Sequence, residues 1–380
     1  MSKRQLMLQP CGHTVKRRRG QSQPRQRQHL YLVVDDWERG YSVRKIDVDA
    51  LDSEAHAEPF DSEADSDAFD SDAEALDLDE DAETLPEPPV IRFKAPHCRL
   101  WYFGGHGTNI LAMPVSSRAD NAFPVIDTKT LGLTLCAHPD GHKVYHKPVF
   151  ASVGGELYMM VESSVCVLGA PPPAPHNKDT QWSWTILPDL APVKSSCITS
   201  SALHPDGHTL FVSEVKSTFS LDTEKLSWSC QGNWVMPFKG QAYFDNELDA
   251  WVGLCRHKGG IGYVCCCDVP PVATAAKCGS MPAWKLGKDQ LFSQDNERHL
   301  GANLLYMGNN NYCLIQSLLH KKYNQRCQGP RRLVLYVTKF GLKYDKNGEL
   351  RTTRLSARSY EMVEGHELND LCSTPVAFWM

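Results

Sequence analysis

Residues Ser217–Leu254 read STFSLDTEKLSWSCQGNWVMPFKGQAYFDNELDAWVGL, and this stretch decides the fold. Two short runs, Thr218–Leu221 and Leu226–Cys230, flank the turn-forming Asp222-Thr223-Glu224-Lys225. A connection through Gly232, Pro237 and Gly240 leads to a fresh apolar run at Ala250–Leu254. Aromatic and β-branched residues on short segments, punctuated by Gly, Pro and Asp, are what a packed antiparallel sheet uses. The stretch therefore reads as the outer half of one β-propeller blade and the start of the next.

Working outward, further apolar cores occur at Ile110–Ala112, Leu157–Met159, Leu210–Val212, Ala250–Val252 and Tyr312–Leu314. Their central residues lie 47, 53, 40 and 62 positions apart, a period close to that of a kelch-type blade. Each unit continues with two more strand-like runs, as in Val125–Thr128 then Leu133–Cys136, or Leu333–Thr338 then Lys343–Arg354. No long segment has a 3.6-residue apolar period, which removes Rossmann and TIM-barrel readings. The predicted class is all-β, a propeller of four-stranded blades.

Five units span 91–380, and a separate hairpin precedes them. Leu30–Val34 and Tyr41–Ile46 read as strands around the turn Asp35–Gly40. Two strands alone are marginal in water, and an open ring leaves an exposed sheet edge. The hairpin is therefore expected to pair with the last unit, near Leu333–Leu355, making six blades, with five or seven as the alternatives. The expected organisation is a disordered basic tail at 1–28, the closing hairpin at 29–47, an acidic disordered insertion at 48–89 and the propeller body at 90–380.

Charge follows the same divisions. The chain carries a net charge of −5, yet residues 1–28 hold eight Lys or Arg and no acid. Residues 46–90 hold eighteen Asp or Glu and no Lys or Arg, a composition that resists collapse. Lys16, Arg17, Arg18 and Arg19 form a candidate nuclear import signal, and Ser62 and Ser71 are candidate acidophilic phosphorylation sites. No apolar run resembles a signal peptide or a membrane span, so the expectation is an intracellular protein of nucleus or cytoplasm with no membrane role. No stacking-aromatic module accompanies the basic tail, which disfavours nucleic acid as a partner.

The search for chemistry is mostly negative. Fourteen cysteines without a signal peptide read as buried thiols rather than disulfides. The densest group is Cys255, Cys265, Cys266, Cys267 and Cys278, with His257 nearby, but it lacks paired zinc-ligand spacing, and the three consecutive cysteines on an expected strand alternate faces and cannot converge on one ion. The repeated HPDGH at His138–His142 and His204–His208 reads as two turns; four converging imidazoles are the metal alternative. Glu247 and Asp249 resemble a carboxylate pair but fit a hairpin tip equally well. No G-x-S-x-G or H-E-x-x-H is present, and the glycines at 104–107 and 259–262 lack a P-loop ending, so both read as turns.

FSLDTEKLSW (Phe219–Trp228), GNWVMPFKGQAYF (Gly232–Phe244), ELDAWVGL (Glu247–Leu254) and LYLVVDDWERGYSVRKIDVD (Leu30–Asp49) resemble a kelch-like propeller family of grasses known as a domain of unknown function. That resemblance implies the fold and brings no catalytic residues and no cofactor. The reading is a monomeric, non-enzymatic scaffold binding a protein or peptide. The alternatives are a small-ligand or metal-dependent enzyme using the channel, and a nuclear nucleic-acid-associated factor acting through the basic tail.

Overall fold

A computed structural model describes residues 28–37, 39–53, 82–95, 100–115, 122–139, 147–171, 182–272, 279–292, 298–321, 332–363 and 374–380. Among them the chain is all β apart from three short 3-10 turns at Val48–Ser53, Ser195–Cys197 and Lys258–Gly260. The strands fall into six quartets.

Quartet 1 runs Val376–Trp379, Leu30–Trp37, Gly40–Ile46, Ile91–Lys94 in spatial order. Quartet 2 is Trp101–His106, Asn109–Pro114, Ala122–Asp127 and Leu133–Ala137; quartet 3 is Val149–Val153, Glu156–Val161, Ser164–Leu168 and Thr185–Ile186. Quartet 4 comprises Ser200–Leu203, Thr209–Ser213, Thr218–Asp222 and Ser227–Gly232. Quartet 5 comprises Gly240–Asp245, Ala250–Leu254, Tyr263–Cys267 and Trp284–Gln290. These two form one eight-stranded sheet, because their first strands pair in parallel from Ser200 against Gly240 to Ala202 against Ala242. Quartet 6 is His299–Gly308, Asn311–Leu319, Arg332–Tyr344 and Leu350–Val363, with Glu83–Thr84 added in parallel on its outer edge.

Side chains that alternate along a strand serve two different cores, and this links the quartets. Leu30, Leu32 and Val34 pack with Leu333, Leu335 and Val337 of quartet 6, whereas Tyr31 and Val33 pack with Ile110 and Ala112 of quartet 2. Leu111 and Phe123 then meet Leu157 and Met159, and Tyr158 and Met160 meet Leu210 and Val212. Phe211 meets Trp251 and Cys265, and Val252 and Cys266 meet Tyr312 and Leu314. Six clusters thus join each quartet to the next and the last to the first. Each fully buried Leu, Ile or Phe in them contributes roughly 1.5–3 kcal/mol relative to exposure.

The hairpin's partner differs from expectation. Leu30–Val33 hydrogen-bonds to Val376–Trp379, not to Leu333–Leu355, which it meets only face to face through the shared core. The outermost strand of quartet 6 is also placed later than expected: Lys343 and Tyr344 end one strand, and Leu350–Val363 is the next. Val48, Leu51 and Leu85, at the flanks of the acidic stretch, are buried in the same core, while residues 54–81 lie outside the described residues.

Gly104 and Gly105 correct a second expectation, since they sit inside a strand and only Gly107 turns. A Cβ on Gly104 would stand 3.0 Å from the Phe150 ring and one on Gly105 2.5 Å from Phe378, so neighbouring aromatics occupy the space a side chain would need.

Candidate functional site

Sequential antiparallel strands put their connections at alternating ends of each quartet, and the two ends differ chemically. At the first end, tight hairpins are held by aspartates that accept backbone N–H groups, the usual Asx turn. Asp222 Oδ1 accepts from Glu224 and Lys225 at 3.1 and 3.0 Å, and Asp345 Oδ1 from Asn347 and Glu349 at 2.8 and 2.9 Å. Asp245 is fully buried; its Oδ1 accepts from Glu247 N–H and Leu248 N–H, and its Oδ2 accepts the Tyr312 hydroxyl at 2.7 Å. Glu247 and Asp249 are therefore the exposed tip of this turn, with Asp249 at φ +50°.

The second HPDGH is likewise a hairpin tip. Asp206 Oδ1 accepts from His208 N–H and Thr209 N–H at 2.9 Å each, and its Oδ2 accepts the Thr209 hydroxyl at 2.7 Å. Burial alone would raise this carboxyl, but these hydrogen bonds and the adjacent His204 outweigh it and hold it at about 2. His204 stacks on Phe211, whereas His138 sits edge-on to Phe123 in a different inter-sheet core. His142 lies outside the described residues, as do Lys16, Arg17, Arg18, Arg19, Ser62 and Ser71. Among the described residues no three His, Cys, Asp or Glu side chains form a group able to hold a metal ion, and no helix is long and apolar enough to cross a membrane.

The three consecutive cysteines divide as their spacing requires. Cys265 and Cys267 enter the core shared with quartet 4, and Cys266 enters the core shared with quartet 6. Burial pushes the Cys267 thiol up to about 12. Cys255 behaves differently: a hydrogen bond from Cys265 brings it down to about 7 against the opposing effect of burial. Sequence reading groups Cys255 with Cys265 but does not show their direct contact, because strand pairing brings them together.

It also missed a serine–histidine contact between the first strands of quartets 2 and 3. His106 Nδ1 lies 3.4 Å from Ser152 Oγ, and burial pushes the His106 imidazole down, which keeps it neutral. Ser152 donates its proton to the Gly105 carbonyl at 3.3 Å, so this imidazole is not placed as its general base.

The second end carries cations. Arg256 N–H donates to Pro237 O and Lys239 N–H to Leu254 O, which sets Lys239 beside Arg256. Lys239 faces the next quartet: burial, and then the charge of Lys239, push His299 down. Arg298 Nε donates to Leu319 O at 2.6 Å, and His320 N–H donates to Arg332 O at 2.9 Å. Arg256, Lys239, Arg298, Lys321 and Arg332 thus follow one another across five neighbouring strands, three of them exposed and Arg256 and Arg298 half-buried, with Arg332 ion-paired to Glu361 at 3.5 Å.

Comparison with solved structures finds distant similarity. The WD40 domain of SCAP from fission yeast matches with 9% identity and a TM-score of 0.29, over 72% of this chain and 69% of that one. A TolB protein from Agrobacterium tumefaciens matches with 9% identity and a TM-score of 0.36, over 73% of this chain and 93% of that one. Comparison with curated proteins finds no match. The sequence profile of a family described as protein of unknown function, DUF1668, matches residues 27–360, which takes in all six quartets except Val376–Trp379 and the end of Leu350–Val363, and the chain belongs to that family.

Proposed function

We propose that the six quartets are blades of a propeller with kelch-like spacing, closed where Val376–Trp379 joins the N-terminal hairpin, and that the molecule is a monomeric, non-enzymatic scaffold for a protein or peptide. The observation that carries this reading is the cyclic order of the six core clusters, in which quartet 6 packs on quartet 1 as every other quartet packs on its successor. A ring of that kind holds its connecting segments rigidly at two ends, and recognition concentrates on such segments. Ending the chain after Pro375 should unpair Leu30–Val33 and open a sheet edge, so the truncated protein should melt earlier and self-associate. Unchanged melting and a monomeric elution profile would count against closure. Proximity labelling with the full chain tests the scaffold role, which fails if no protein is enriched over a tagged control.

The reading extends to Lys16–Arg19 as a nuclear import signal and to Ser62 and Ser71 as phosphate acceptors. Fluorescent tagging with and without residues 1–28, and phosphopeptide mapping, test these two points.

A further inference from the structure

We propose that the outer edge of quartet 2, at Leu133–Leu135, takes an added β-strand from an uncharged segment of a partner protein with apolar residues at alternate positions; this names a docking surface within the scaffold reading and rests on it. The outermost strand, Leu133–Ala137, is paired on one side, with Ala122–Ile126. Asp127 N–H donates to Gly132 O, which fixes the alternation of this ladder. Thr134 and Cys136 exchange hydrogen bonds with Val125 and Phe123, and Leu133, Leu135 and Ala137 turn their N–H and C=O groups outward. Ala137 agrees with this phase, because its N–H donates to Trp182 O at 3.0 Å. Among the described residues no such backbone partner meets Leu133 or Leu135. Each therefore offers a donor and an acceptor to a further strand, over about 7 Å of edge.

The side chains point to the same occupant. Leu131, Leu133 and Leu135 are each 61% exposed. Leu133 and Leu135 share one face of the strand, so an added strand lays its own alternate residues against them. Leu131 holds φ +58° in the preceding turn, a strained conformation for leucine, and fills no core. Neither the turn nor the packing asks for leucine there. No residue from Thr130 to Ala137 is charged, so nothing on the edge compensates a charge that docking would take out of water. The other outer strands carry devices that discourage pairing. Ile91–Lys94 displays Arg92 and Lys94, Thr185–Ile186 is two residues long, and the ladder to Ser227–Gly232 is bulged at Thr218/Phe219. Trp284–Gln290 carries Lys285, Lys288 and Asp289, and Leu350–Val363 is covered by Glu83–Thr84. A second copy of the chain is the rival occupant. A stable interface buries about 1,600 Å² in all, and three leucines beside so short an edge supply a small part of it. A single extended segment needs only the edge itself.

The test uses the full chain and fluorescence anisotropy of a fluorescein-labelled, capped peptide of about six residues that alternates threonine and valine, with its fully N-methylated form as the comparison probe. The wild type should bind the peptide, and N-methylation, which removes every backbone donor, should weaken binding at least tenfold. Leu133→Lys with Leu135→Lys should also weaken it at least tenfold, whereas Val215→Lys, at an apolar residue of similar exposure elsewhere, should change it less than twofold. If the double-lysine chain does not fold, Leu133→Thr with Leu135→Thr keeps good strand formers and should still weaken binding about threefold. Absence of binding to the wild type overturns the inference, as does binding that survives the lysine changes or the N-methylation. A wild-type dimer in sedimentation velocity that the lysine changes convert to monomer also overturns it, because a second copy then holds the edge. Partner labelling that persists in the double-lysine chain overturns the inference and leaves the scaffold reading intact; absence of labelling by the wild type removes the scaffold reading and the inference with it.

Discussion

Tyr312→Phe removes one hydroxyl and nothing else from the core between quartets 5 and 6. The ring stays, stacked on Phe340 at 5.8 Å with its planes 19° apart. Asp245 Oδ2 is left buried without its 2.7 Å donor. A hydrogen bond to a charged acceptor contributes about 1.5–3 kcal/mol, and an acceptor orphaned in the interior incurs its full desolvation cost. The expected loss is therefore about 2 kcal/mol, read by urea denaturation followed through tryptophan fluorescence, or a fall in Tm of about 5 °C. Asp245→Asn keeps an acceptor for the turn N–H groups of Glu247 and Leu248, so the double-mutant cycle with Tyr312→Phe isolates the charged contact, and a coupling of about 1.5 kcal/mol is expected. The pH dependence supplies a second check. Burial, and then the Asp245 charge, raise the Tyr312 phenol above its ordinary value. A group raised on folding contributes fully below its unfolded pKa of about 10 and loses that contribution as pH climbs past it. Wild-type stability should therefore decline above pH 10 more steeply than that of Tyr312→Phe. A loss below about 0.5 kcal/mol with no difference between the two alkaline profiles would refute this account of the buried pair.

Three further outcomes are expected. Arg44, 4% exposed, donates to Asp36 and to Pro86 O, so Arg44→Met leaves the Asp36 carboxylate without its cation and with only the Ser42 hydroxyl as side-chain donor, and should cost about 3 kcal/mol in a denaturant titration, whereas Lys45→Met, on an exposed position, should cost under about 0.5 kcal/mol. Gly262 adopts φ +88° with its α-carbon against the Phe292 carbonyl, so Gly262→Ala should destabilise by about 3 kcal/mol, measured by thermal melting. Asp206, held at about 2, gives stability that is complete above its unfolded pKa and disappears as pH falls through about 2; Asp206→Ala should melt earlier than wild type at pH 7 by up to about 2 kcal/mol and converge with it at pH 2.

The second and third strands of most quartets are legible in the sequence because their side chains fill the cores. Val252, Val264 and Cys266 or Met159 and Cys166 announce a buried, alternating pattern. The first strands are not. Gly104, Gly105, Ser200, Ser201 and Gly240 are weak strand formers, and the space around the first two is filled by aromatic rings of neighbouring strands. The last strand, Val376–Trp379, is four residues long, too short to show a period, and its pairing with Leu30–Val33 joins opposite ends of the chain. The row of cations at the second end was hidden for a related reason: Lys239, Arg256, Arg298, Lys321 and Arg332 are scattered over some ninety positions and become neighbours only through strand pairing. The Cys255–Cys265 contact is a smaller case, since the spacing argument rightly separated Cys265 from Cys266 but says nothing about a thiol on the adjoining strand.

The opposite charge of the two ends has a cause in the fold. Tight antiparallel hairpins need a side chain that accepts backbone N–H groups two and three positions on, and aspartate does this best, so the first end acquires Asp206, Asp222, Asp245 and Asp345 for reasons of turn geometry. The connections at the second end include longer crossings between quartets, such as 232–240 and 290–299, which carry no such requirement. Lys239 is exposed and fills no core. Acidic turns are therefore what the strands themselves demand.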